Sequence, residues 1–498
     1  MNKFFILFLL ASCTASAATK SAKVFKADTD AVPTLTEDEY QKIIADGKKF
    51  EASRKVANVD RIDYATAVAD DFKNLTSDFV GGSKWKDQKE VPNSKESGMH
   101  TNADLAKEID ILEAKYPILS PAAQIVTAQL IALKPFRGMV YRLRPLVEAQ
   151  HTPFIHGMII AFIRSVNAGV NNLFPSDQWK VGFDYLTQPY PNMGAQITTE
   201  QELNAYLGTH VIHEFVTLFN RVKGINLDTP VYMDNRLLWG TAHFVADQDQ
   251  FVLFGNSEKL SYLSNVSFAI SGLGASLAYN WLGMFETTQK FWMVYGFNTA
   301  LSNPDNMTAE QRVSVIRKNS DLFTLLPGGE KITKAAKKWY KIGLSYGKQS
   351  WGKVQDAQKD SAQPTVMDAR GFLPFVRIIN TSFTNVDEIV SGKGVSSSLV
   401  NGEVVAVNFD LFFDQPPKDF KDFLPTKFDQ GAYSVVEPVT GIKYRNYSRG
   451  NPTAWNYAAY QIYFPGVKDA HGVRNAARVM SQSWGSTLLG LPLSTMMF

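Results

Sequence analysis

Thiols are almost missing from this chain: among its 498 residues the one cysteine is Cys13. Everything after it must fold without a disulfide, and a cysteine nucleophile or a cysteine-ligated zinc is excluded there. Net charge is scarce as well. The 51 Lys and Arg against 48 Asp and Glu leave +3, too little to suggest a nucleic-acid partner. A glycine loop of the phosphate-cradling kind is missing too. Apolar residues are not short. They make up 45% of the chain against 20% charged, the composition of a globular protein able to bury a large core.

The position of the lone cysteine is informative. Lys3 precedes Phe4-Phe5-Ile6-Leu7-Phe8-Leu9-Leu10, an apolar run suited to an export signal and too short to span a bilayer as a helix. Leu10-Ala11-Ser12-Cys13 resembles the lipobox of bacterial lipoproteins, in which the cysteine is acylated and becomes the first residue. Ala15-Ser16-Ala17 offers the competing small-x-small cut after Ala17. Residues 1–17 are thus expected to be a signal, and the protein an envelope lipoprotein at the outer membrane or periplasm. The alternative is a soluble exported protein.

Downstream, residues 18–100 carry short helical signals such as Thr36-Glu37-Asp38-Glu39, and 81–97 is a polar, glycine-bearing loop. Residues 101–352 form an apolar helical domain. Its signals include a stripe at Leu105, Ile109, Leu112 and Tyr116, and a cap at Ser120-Pro121. Phe154 to Phe174 is apolar on nearly all sides. Between Lys259 and Glu286 no charge occurs, but serines, Asn265 and Asn280 keep the hydropathy modest. A buried core helix fits better than a membrane span. Residues 353–498 read as a smaller α+β part. Val405, Val407, Phe409, Leu411 and Phe413 alternate like a strand, Asn401-Gly402 and Thr440-Gly441 mark hairpins, and a last helix spans 468–483. The expected class is mainly α, a large helical body followed by a small α+β region with β-hairpins.

Four constellations could carry chemistry. On a helix from Thr199 to Arg221, Tyr206, His210, His213, Glu214 and Thr217 form a polar stripe beside the apolar face, turned toward the interior or a cleft. His210, His213 and Glu214, with His243 on a later helix, could ligate a divalent metal, although the spacing is not His-Glu-x-x-His. The plainer reading is a pair of core histidines. Arg137, Arg142 and Arg144 with His151 and His156 could hold an anion or form a solvated basic surface. In 331–353 seven lysines, among them Lys334, Lys337, Lys338 and Lys341, meet no acid, while Trp339 joins an apolar stripe. That pattern suits an anionic membrane surface or an ordinary docked helix. Tyr457 and Tyr460 belong to an aromatic-rich stretch that could meet an envelope protein or a glycan, or fill a core.

Other motifs fail. Ser83-Lys84-Trp85-Lys86 and Ser345-Tyr346-Gly347-Lys348 match Ser-x-x-Lys, but Tyr444-Arg445-Asn446 follows Val439-Thr440-Gly441 and no Lys-Thr-Gly exists. The terminal Phe498 lacks the preceding alternation of a barrel strand. The sequence thus supports a lipid-anchored binding or scaffold protein first. A metal-dependent periplasmic enzyme and a carrier of an apolar ligand held between 154–174 and 260–285 stand as alternatives.

Overall fold

The computed structural model describes residues 105–150, 185–186, 189–190, 196–228, 230–234, 251–284, 287, 309–360, 396–400, 403–429, 433–436, 443–447 and 452–482. Among them the architecture is mainly helical, with four two-stranded antiparallel ladders. The apolar stripe at 105–116 forms α1 (Leu105–Lys115), which buries Ala106 and Ile109. Ser120 caps α2 (Pro121–Ile131), its hydroxyl accepting from the Ala123 amide at 3.4 Å. Pro121 occupies the first turn, where a missing N–H costs nothing. After α3 (Met139–Gln150), the chain enters α4 (Glu200–Tyr206), a π turn over Leu207–Val211, and α5 (Ile212–Gly224) without a gap. β1 (Val231–Asp234) then pairs with β2 (Phe251–Phe254).

Most of the uncharged stretch lies in α6 (Asn256–Leu277), a buried helix as expected. Among the described residues no helix is long and apolar enough to cross a membrane. After α7 (Ala309–Lys318), α6 finds its main partner in α8 (Gly329–Asp360). The two run antiparallel in a constant register. The Ser350 hydroxyl donates to the Ser257 carbonyl at 2.7 Å, Ser264 to Gly343 at 2.7 Å and Ser271 to Ala336 at 2.8 Å. Residues seven apart on one helix thus meet residues seven apart on the other, the repeat that keeps one seam facing its partner. The approach is close because the residues are small. A Cβ on Gly343 would come within 2.9 Å of the Phe268 ring, and one on Gly329 within 2.7 Å of the Ala278 carbonyl. The serines that lower the hydropathy of α6 therefore hydrogen-bond inside the core, which satisfies their hydroxyls.

In the C-terminal part β3 (Ser396–Val400) pairs with β4 (Glu403–Val407), with Val400 opposite Glu403 on either side of Asn401-Gly402. The strand expected to continue through Phe413 ends at Val407. Phe409–Asp414 is a helix, α9, instead. Its aromatics explain the correction: Phe409, Phe412 and Phe413 are the buried positions, spaced for a helix face, whereas Leu411 is only partly buried. β5 (Lys427–Phe428), β6 (Tyr433–Val436), β7 (Lys443–Tyr447) and β8 (Pro452–Ala454) follow. β6 and β7 pair across Thr440-Gly441, and β5 pairs with β8. α10 (Tyr457–Tyr463) and α11 (Ala470–Gln482) close the order, the latter where the last helix was expected.

One apolar cluster runs from Ala106 of α1 to Ala477 of α11. The C-terminal elements therefore share a core with the helical body, and α8 crosses Gly352 unbroken. The segments 18–100 and 154–174 lie outside the described residues.

Candidate functional site

The site begins with the way α4 is anchored. Thr199 and Glu202 form a capping box: the Thr199 hydroxyl accepts from the Glu202 amide at 3.1 Å, and Glu202 accepts from the Thr199 amide at 3.2 Å. The next turn is polar yet buried. Gln201 donates to Asn280 at 2.7 Å and accepts from the Trp281 amide at 3.2 Å, while Asn204 donates to the Tyr279 carbonyl at 3.0 Å. These bonds fix α4 against the end of α6.

The helix then widens into its π turn. Gly208 stands there against α6, where a Cβ would come within 2.9 Å of Leu277 Cδ1. A π turn inserts one residue into the helical count, so residues after it are rotated relative to a regular helix. His210 and His213 both come out exposed. This corrects the reading of the two histidines as core residues, whereas Tyr206 of the same stripe is buried and Glu214 and Thr217 are only partly exposed.

His210 is held by stacking. Its ring lies 4.6 Å from that of Tyr206, tilted by 36°, and the Arg142 guanidinium covers the same tyrosine at 4.2 Å. The Tyr206 hydroxyl donates to the Pro135 carbonyl. Partial covering by these neighbours, then the charges of Arg142 and His213, lower the His210 imidazole below its usual value.

Glu214 faces another group. Its carboxylate accepts from Arg221 at 2.9 Å, and Arg221 also binds Glu113 of α1 at 2.6 Å. Lys134 joins Glu113 at 2.5 Å. Burial works to raise the Glu113 carboxyl, but the hydrogen bonds and charges of Lys134 and Arg221 outweigh it and hold it below the usual carboxylate range. For Glu214 burial prevails over the same two cations and leaves its carboxyl raised. The expected metal set does not assemble from Glu214, because Arg221 engages its carboxylate. His243 lies outside the described residues, and among those described no three His, Cys, Asp or Glu side chains group to hold an ion.

The remaining expectations separate in the same way. Of the basic group, Arg142 is buried and Arg137 pairs with Asp110 at 3.1 Å, while His151 and His156 lie outside the described residues. On α8 Trp339 is 0% exposed and meets Phe219 edge-on, so it is not available to a membrane surface. Lys337 bridges Asp410 at 3.1 Å and Asp414 at 2.5 Å, and Lys341 reaches Asp410 at 3.4 Å. Lys334 and Lys338 are exposed. Tyr460 is 0% exposed and donates to the Phe423 carbonyl, so it fills the core instead of forming a binding platform, and Tyr457 is half-buried. Residues 154–174, one wall of the expected slot for an apolar ligand, lie outside the described residues.

The helix is legible in the sequence, but Arg142 and Glu113, which meet its Tyr206 and Arg221, are not. Arg221 and Glu113 are 108 residues apart, beyond any local periodicity. No protein-family model, no curated protein and no solved structure matches the chain.

Proposed function

We propose that this protein is an exported bacterial cell-envelope protein, anchored by acylation of Cys13, whose helical body serves a binding or scaffold role. The observation that carries the reading is Leu10-Ala11-Ser12-Cys13 directly behind a short apolar run, with the chain's one cysteine at the acceptor position. A geometric feature supports the binding half. The ridge at Tyr206–His213 presents exposed imidazoles on a helix locked from behind by buried polar bonds and from the side by the Glu113–Arg221–Glu214 ion pairs. Such rigid support under exposed polar groups suits recognition, since little order has to be imposed on binding.

The anchor is tested by mass spectrometry of the mature N-terminus together with fractionation. The expected product begins at an acylated Cys13 and partitions with membranes, and Cys13→Ser either stops processing or moves the protein to the soluble fraction. A mature chain beginning at Ala18 without lipid would refute the anchor. The binding role is tested with a photo-crosslinking amino acid at position 213 in intact cells. A discrete adduct is expected there and not from position 353 on α8; no adduct at position 213 would refute it.

A further inference from the structure

Both imidazoles are exposed. His210 and His213 are three residues apart, and the residues between them keep helical dihedrals: Val211 at φ −73°, ψ −45° and Ile212 at φ −63°, ψ −42°. Residues spaced by three on a helix share a face. Neither ring nitrogen of either histidine is engaged in a hydrogen bond among the described residues. Stacking on Tyr206 fixes the plane of the His210 ring while leaving its edge, where both nitrogens lie, unobstructed by that contact.

We propose that His210 and His213 together form an open binding site for one divalent transition-metal ion, Cu2+ ahead of Ni2+ and Zn2+. Imidazole is a ligand that suits these ions, and a site that imposes little geometry follows their general order of affinity. Glu214 does not contribute, because Arg221 holds its carboxylate. Water completes the coordination shell, which makes the site open and exchangeable in contrast to a closed structural one. The ridge at Tyr206–His213 would present this ion to its surroundings, but the site does not depend on the anchor: Cys13→Ser leaves the metal binding in place, so the two readings fail separately.

The test is titration of the full-length protein, purified without a histidine tag, with CuCl2, NiCl2 and ZnCl2. Calorimetry reads the affinity and electron paramagnetic resonance reads the Cu2+ ligands. One equivalent of Cu2+ should bind with nitrogen coordination, more tightly than Ni2+ or Zn2+. His210→Gln and His213→Gln should each weaken that binding by at least ~10-fold, as expected for removal of one of two protein ligands. His471→Gln should not change it. Both ridge side chains are exposed, so the variants should keep the wild-type melting temperature. Undiminished Cu2+ binding in the double variant, or coordination by oxygen alone in the wild type, would overturn the proposal.

Discussion

The α6–α8 seam can be tested by comparing two glycines on one helix. A Cβ on Gly343 would meet three atoms of the Phe268 ring at 2.9, 3.0 and 3.1 Å, whereas one on Gly352 would meet nothing within 4 Å. Alanine is favoured over glycine in a helix interior by about 1 kcal/mol, and both substitutions gain this. At Gly352 nothing opposes it, so Gly352→Ala should raise stability by up to about 1 kcal/mol. At Gly343 the added methyl forces the ring or the helix to move, an overpacking cost of about 1–3 kcal/mol. Gly343→Ala should therefore range from neutral to destabilising by about 2 kcal/mol. The gap between the two variants is the informative quantity, because helix propensity cancels in it.

Urea denaturation followed by circular dichroism measures both midpoints. A double-mutant cycle sharpens the result. In a Phe268→Leu background the ring that obstructs the methyl is gone, so Gly343→Ala should cost less there, with a coupling of at least ~0.5 kcal/mol. Equal shifts for Gly343→Ala and Gly352→Ala, with no coupling to Phe268, would refute the close approach and with it the register set by the serine hydroxyls.

Two further outcomes follow from the ion pairs. Glu113→Gln should destabilise at neutral pH; because the Glu113 carboxyl is held below its ordinary value of 4.5, its contribution is full above that value and fades as pH falls through the lower folded one. Stability curves of variant and wild type should therefore converge in acid, and parallel curves would contradict the assigned shift. Lys337→Ala should cost about 1 kcal/mol by loosening α9 from α8, and the loss should shrink when salt is raised, since these pairs are partly solvated.

What the sequence determined by itself is what local chemistry determines. Ser120-Pro121 starts a helix because a hydroxyl and a fixed φ suit a first turn, and the strands that flank Asn401-Gly402 pair antiparallel, as the hairpin signal between them implies. The absence of charge from Lys259 to Glu286 identified a buried helix, and the single cysteine focused the export reading on Cys13. Tertiary structure decided the rest. Phe409 to Phe413 satisfies two periodicities at once, and contact with α8 selected the helical one. Trp339 and Tyr460 carry the same side chains in a core as on a binding surface, and packing placed both inside. The histidine stripe was legible as a helix, but its direction was not. Both imidazoles are exposed, and an arginine that also binds an acid 108 residues away holds the Glu214 carboxylate. Rotation about a helix axis and the partners of a charge are set by the whole fold.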